Sequence, residues 1–212
     1  MKDILKPGLI LMAYGIIAGL ALGLVNSMTA PKIAAQEEAA RMAAIEEVLP
    51  TATVFETKTE GDFEYIVGYT EESKAEIAGF VVTALGNGFS STIRTVVGVN
   101  TDFTVAAIEI VYQSETPGLG TKAVELDDPT KEPWFERQFD GLPPSDINVD
   151  KDGGKLRSIT GATITSRAIA RSVAITVEKL KTTVGSSLEQ EPTEEVIDST
   201  NDIEIVEEGG VE

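Results

Sequence analysis

The sequence predicts an α+β fold: an N-terminal transmembrane helix and helical stalk, then a domain with an antiparallel sheet and a packed C-terminal helix. Three observations carry this. An uncharged run lies between Lys6 and Lys32. Four segments rich in β-branched residues follow between 63 and 112, separated by turn residues. An apolar stripe at helical spacing occupies 165–184. The 212 residues divide into a short tail (1–6), a membrane span (7–30), a stalk (31–50), one domain of ordinary size (51–185) and an acidic tail (186–212).

Gly8 to Val25 is nearly all apolar. At about 1.5 Å per residue, roughly 20 residues cross about 30 Å of hydrocarbon. A cleaved signal peptide fits less well. Pro31 directly follows Met28-Thr29-Ala30, the apolar run exceeds a signal-peptide core, and no cysteine is present for lipid attachment. Gly15, Gly19 and Gly23 recur on one helix face, where a neighbouring helix can approach closely. Lys2 and Lys6 before the span are balanced by Lys32 and Arg41 after it, so charge leaves the orientation open. Ile33 to Leu49 is an Ala- and Glu-rich helix that continues the span as a stalk, and Pro50 ends it.

FEYIVGY (63–69), EIAGFVVTAL (76–85), TIRTVVGV (92–99) and FTVAAIEIVY (103–112) read as a run of antiparallel strands. A polar, Gly- and Pro-rich stretch from Ser114 to Gly154 is interrupted by Trp134-Phe135 and Phe139. In the C-terminal helix, Ile169, Val173, Val177 and Leu180 form the apolar stripe. Thr165 or Ser166 is placed to cap its start and Gly185 to end it. The tail beyond holds ten acidic residues and no Lys or Arg, and reads as disordered. Ile203, Ile205 and Val206 leave room there for a short docking motif.

The net charge is −18, of which only −8 belongs to residues 1–185. An acidic chain argues against nucleic-acid binding, which needs a cationic surface. The sequence has no cysteine and no histidine. This excludes a thiolate-held iron–sulfur cluster, an ordinary zinc, copper or haem site, and Ser-His-Asp or Cys-His catalysis. Redox chemistry in this chain therefore needs an organic cofactor.

Two loops have the composition of ligand sites. Glu115-Thr116-Pro117-Gly118-Leu119-Gly120-Thr121-Lys122 directly follows the last strand. Its glycines let backbone approach a ligand, and Leu119 is suited to lie against a flat apolar ring. Taken alone, it reads equally well as a turn with an exposed leucine. The second loop, Ser158 to Ser166 (SITGATITS), enters the C-terminal helix. Small residues and hydroxyls at a helix start suit an anion such as phosphate, or a hydroxyl-rich cap with no ligand.

Thr160-Gly161-Ala162-Thr163 resembles the [ST]-G-A-[ST] flavinylation motif of the FMN-binding family. That family includes the G subunit of the Rnf electron-transport complex and the C subunit of the sodium-translocating NADH:quinone reductase. ETPGLG resembles its other signature, and the order of anchor, stalk and loops is similar over residues 1 to about 185. The compact chain and TGATITSRA are more similar to the Rnf protein, with the quinone-reductase protein as the alternative. One departure stands out: the family often has Asp three residues before the motif, where this chain has Arg157, a residue able to help hold a phosphate.

The resemblance implies FMN joined to Thr163 by a phosphoester, placed there by a flavin transferase that takes FMN from FAD with Mg²⁺ and releases AMP. It implies that Thr160, Gly161 and Ala162 hold the phosphate, and that Glu115, Thr116, Leu119 and Gly120 lie near the ring or ribityl chain. No general acid, general base or metal ligand is expected. The N-terminus would be cytoplasmic and the domain on the outer side of the cytoplasmic membrane. Its partners would be the other membrane subunits of the Rnf complex, with electrons passing between reduced ferredoxin and NAD and driving an ion pump. Competing classes are a membrane-tethered scaffold without flavin and a stand-alone flavin reductase. The latter is disfavoured by the lack of a GxGxxG fingerprint.

Overall fold

A computed structural model describes residues 2–127 and 132–188 of the chain. The expected span and stalk form one continuous helix, α1 (Lys2–Val48), which stops two residues before Pro50. It is long and apolar enough to cross a membrane; its most apolar 18-residue window has a mean hydropathy of 2.3, and none of that window is buried in the protein. Pro31 lies inside it and lacks the N–H that would otherwise reach the Ser27 carbonyl. One turn earlier, the Ser27 and Thr29 hydroxyls donate to the Leu24 and Val25 carbonyls, which keeps these polar groups paired.

Five strands follow: β1 (Val54–Glu60), β2 (Phe63–Tyr69), β3 (Ile77–Asn87), β4 (Thr92–Val99) and β5 (Val105–Tyr112). They form one antiparallel sheet in chain order. β1 escapes sequence reading because VFETKTE is mostly polar, and no residue of it is buried. It is an edge strand, and edge strands tolerate charge. Gly61 takes φ +57° in the tight turn that joins it to β2.

The sheet is covered on both faces. On one face lies α2 (Thr163–Leu188), packed on β3 and β4. The predicted stripe Ile169, Val173, Val177 and Leu180 is fully buried in one core with Val67, Phe80, Val82 and Val97. Each such side chain contributes roughly 1.5–3 kcal/mol relative to exposure. α2 starts two residues earlier than the sequence suggests and runs through Gly185. Neither Thr165 nor Ser166 caps it, because both hydroxyls are bonded elsewhere in the core. Residues 186–188 are thus helical, while the acidic tail from 189 lies outside the described residues.

The other face receives the end of α1. Ala44, Ile45, Val48 and Leu49 pack with Ile66, Val81 and Val96. The close approach depends on a hollow of three glycines. Gly68 and Gly79 are cross-strand partners, and a Cβ on either would press on Leu49. A Cβ on Gly98 would overlap the Val48 carbonyl oxygen.

Over its described residues, the long polar stretch after β5 is not a loose loop. It wraps the α2 side of the core with short 3₁₀ turns at Gly120–Val124, Glu136–Phe139, Pro144–Asp146 and Asp150–Asp152. Phe135 and Phe139 are wholly buried there. Glu136 is buried beside them, and its Oε1 accepts the Ile110 amide of the β5 edge at 3.0 Å. Its carboxyl also meets that of Glu109, with Glu47 of α1 nearby and Arg137 and Asp140 lining the same hollow. Burial first, then the Glu109 charge, push Glu136 up to about 8, so it holds a proton at neutral pH.

Two outcomes follow from this packing. Gly98→Ala should cost about 1–3 kcal/mol in denaturant unfolding, because rigid backbone opposes the new methyl. Glu136 binds its proton more tightly folded than unfolded. Its contribution is therefore full below the ordinary glutamate value of 4.5 and is lost as pH rises through about 8. Melting temperatures between pH 5 and 9 should fall for the natural chain and be flatter for Glu136→Gln, which stays a neutral donor.

Candidate functional site

The loop after β5 carries Glu115, and its carboxylate gathers three parts of the chain. Oε1 accepts the amides of Ser90 and Ser91 at 2.9 Å each, and the Ser91 hydroxyl at 3.0 Å. Oε2 accepts the Phe89 amide at 3.0 Å and the Thr165 hydroxyl at 2.7 Å. Burial would raise this carboxyl, but the bonds from Thr165 and the Ser90, Phe89 and Ser91 amides outweigh it and hold the group at about 2. Glycines make the room: a Cβ on Gly88 would stand 2.5 Å from Glu115 Oε1, and one on Gly120 2.6 Å from Glu115 Cβ. The β3–β4 loop, the ETPGLG loop and the first turn of α2 are thereby fixed together.

The second loop turns into α2 at Gly161, which takes φ +80°. Leu119 of the first loop lies over it, its Cδ2 3.0 Å from where a Cβ would be. Ser166 locks the turn from inside: its Oγ accepts the Ile159 amide at 2.9 Å and donates to the Ala162 carbonyl at 3.0 Å. Arg167 clasps Asp152 with bonds of 2.6 and 2.7 Å, tying the start of α2 to the Asp150–Asp152 turn. The first amides of α2, at Thr163, Ile164 and Thr165, have no acceptor among the described residues. They supply the positive end of the helix dipole.

Two clefts meet at Thr163. The first, of about 330 Å³, is walled mainly by apolar groups of Phe89, Leu119, Ala162 and Ile164, with Glu115 and Thr116 at its floor and rim. The second, of about 590 Å³, is polar and includes Lys122, Trp134, Lys151, Arg157 and Thr160. Thr163 and Gly161 line both. The arrangement suits a flat, largely apolar body on one side and an anion at the start of α2.

The residues singled out from sequence are brought together. Glu115, Thr116, Leu119 and Gly120 meet Gly161, Ala162 and Thr163 around the apolar cleft, while Thr160 faces the polar one. Glu115 does more than line the cleft, because both its oxygens are taken up in joining the loops. Thr163 is half-buried, and its hydroxyl has no partner among the described residues. Sequence reading missed Phe89, which is 70% exposed at the cleft mouth. Its signal was an aromatic residue in the turn Asn87-Gly88-Phe89-Ser90. Trp134 and Lys151 were also missed, since they come from separate turns, and Lys122, the last residue of the first loop, was given no role.

The Glu115 bonds set a measurable expectation. A drop from 4.5 to about 2 corresponds to roughly 3 kcal/mol of stability. It is present above pH 4.5 and lost as pH falls through about 2. Glu115→Gln should lose most of it in denaturant unfolding at pH 7, because its NH₂ would confront donors where an oxygen now accepts.

The chain is similar to known proteins. Residues 88–178 match the model of the FMN-binding domain, and residues 1–48 match that of the RnfG N-terminal region. The G subunit of the Na(+)-translocating ferredoxin:NAD(+) oxidoreductase complex of Acetobacterium woodii is 30% identical over 197 residues, covering 84% of this chain and 91% of that protein. The G subunit of the ion-translocating oxidoreductase complex of Methanosarcina acetivorans is 29% identical, covering 84% and 94%. Among solved structures, NqrC of Shewanella oneidensis is 19% identical with a TM-score of 0.42, covering 64% of this chain and 74% of that one. With a membrane-length helix, both signature loops around one cleft, and relatives matched over nearly their full length, the chain belongs to the RnfG family of ion-translocating oxidoreductase complexes and carries that family's FMN-binding domain.

Proposed function

We propose that this chain is an electron-carrying subunit of a membrane-bound ion-translocating ferredoxin:NAD oxidoreductase complex, and that it holds FMN through a phosphoester on Thr163. The observation that carries the attachment site is the fate of the neighbouring hydroxyls. Thr165 is 1% exposed and its hydroxyl donates a hydrogen bond to Glu115. Ser166 is wholly buried and bonded on both sides. Thr163 alone in the first turn of α2 opens onto both clefts with a hydroxyl not engaged by any described residue.

The residues present fit FMN. The apolar cleft suits the ring, with Leu119 and Ile164 as walls and Phe89 at the mouth. Amides at the start of α2 favour the phosphate. When bound, FMN supplies electron transfer that no side chain of this chain can perform. Thr163 would supply the hydroxyl oxygen that takes the place of AMP on the flavin-side phosphate of FAD, its proton going to the transferase. Glu115 and Ser166 keep the accepting loop in shape while Thr163 stays free.

In this reading the FMN-binding unit spans 51–185, the N-terminus is cytoplasmic, and the unit stands on the outer side of the membrane. A covalent tether is useful there, where a free cofactor would diffuse away. The other subunits of the complex supply and accept the electrons.

Co-expression with a flavin transferase, followed by denaturing electrophoresis, tests the site. The natural chain and Thr163→Ser should give a fluorescent band, as should Thr165→Ala if it folds. Thr163→Ala should give none. A band persisting in Thr163→Ala would place the flavin elsewhere, and a dark natural chain would favour the scaffold reading.

A further inference from the structure

The polar cleft on the far side of Thr163 is built around a fixed cation. Arg157 lies over the ring of Trp134, 4.8 Å from its centroid. Gln138 pins the Arg157 backbone from both sides: its Oε1 accepts the amide at 2.7 Å, and its Nε2 donates to the carbonyl at 3.3 Å. A guanidinium held on an indole keeps its N–H edge free for an anion. Lys122 reaches the same cleft from the 3₁₀ turn after the ETPGLG loop, and Lys151 from the Asp150–Asp152 turn.

The charges in this cleft are unequal in availability. Asp150 is committed: it accepts the amides of Ser158 and Lys151 and draws the Lys151 ammonium to 3.7 Å. Glu125 is the other acid of the cleft among the described residues. Among the described residues, Lys122, Lys151 and Arg157 against Asp150 and Glu125 leave one positive charge. Neither Lys122 nor Arg157 forms an ion pair with another described residue. A phosphate linking Thr163 to a ribityl chain carries one negative charge, so the balance matches.

We infer that the polar cleft is the phosphate seat of the flavin site, with Arg157 and Lys122 as the countercharges and Trp134 and Gln138 as the residues that position Arg157. The inference rests on the Thr163 reading. It adds which side of Thr163 the phosphate takes, leaving the apolar cleft to the ring. Arg157 thereby brings a positive charge to a position where the family often has Asp.

The test uses the full chain in detergent with Thr163→Ala, so that no flavin is attached, and titrates FMN and riboflavin by calorimetry. One charge-assisted phosphate contact predicts FMN binding at least about tenfold tighter than riboflavin. Adding Arg157→Gln should remove most of that preference, Arg157→Lys should keep part of it, and Lys122→Gln should reduce it. The FMN preference should also shrink with added salt. Equal affinities, no binding of either ligand, or a preference untouched by Arg157→Gln would overturn the phosphate seat. The Thr163 reading would be unaffected by those results, because it is read separately from the flavin mass on the natural chain.

Discussion

The site depends on one buried carboxylate. Glu115 accepts five donors from the β3–β4 loop and α2, and its own loop contributes Leu119 to the cleft. A carboxylate this deep is costly to desolvate, and only a full set of donors makes it favourable. Loss of the charge would release three loops at once. The glycines on either side have no freedom to change, because Gly88 and Gly120 mark where the carboxylate and its stem pass.

The two helices divide the work. The end of α1 seats in the glycine hollow on one face of the sheet, so the membrane anchor and the domain meet through tight packing. α2 covers the other face, and its first turn presents Thr163. The candidate site is therefore built on the sheet face opposite to the one that holds the end of α1. Phe135, Glu136, Gln138 and Phe139 link the two arrangements. The phenylalanines fill the core under α2, Glu136 closes the β5 edge beside α1, and Gln138 holds Arg157.

Much of this was legible in the sequence. The span follows from an unbroken apolar run, the stalk from its Ala- and Glu-rich composition, four of the five strands of the sheet from β-branched segments between turn residues, and the buried stripe of α2 from helical periodicity. β1 was not legible, because an exposed edge strand carries no apolar pattern. The start of α2 was misplaced because hydroxyl residues usually cap helices. Here Thr165 and Ser166 turn inward to satisfy Glu115 and the Ile159 amide. The two signature loops were recognisable as motifs, but their contact was not, since Glu115 and Thr165 lie 50 residues apart. The polar cleft was the least visible part, because its cations and its indole come from separate turns with no shared spacing.

The free hydroxyl at the start of α2 is the proposed attachment point for the flavin. The most direct measurement of this is the intact mass of the chain purified from the membranes of its own cell, followed by fragmentation. The account predicts a gain of one FMN less one water, carried by the fragment that contains Thr163. An unmodified mass, or the same gain on a fragment without Thr163, would contradict it.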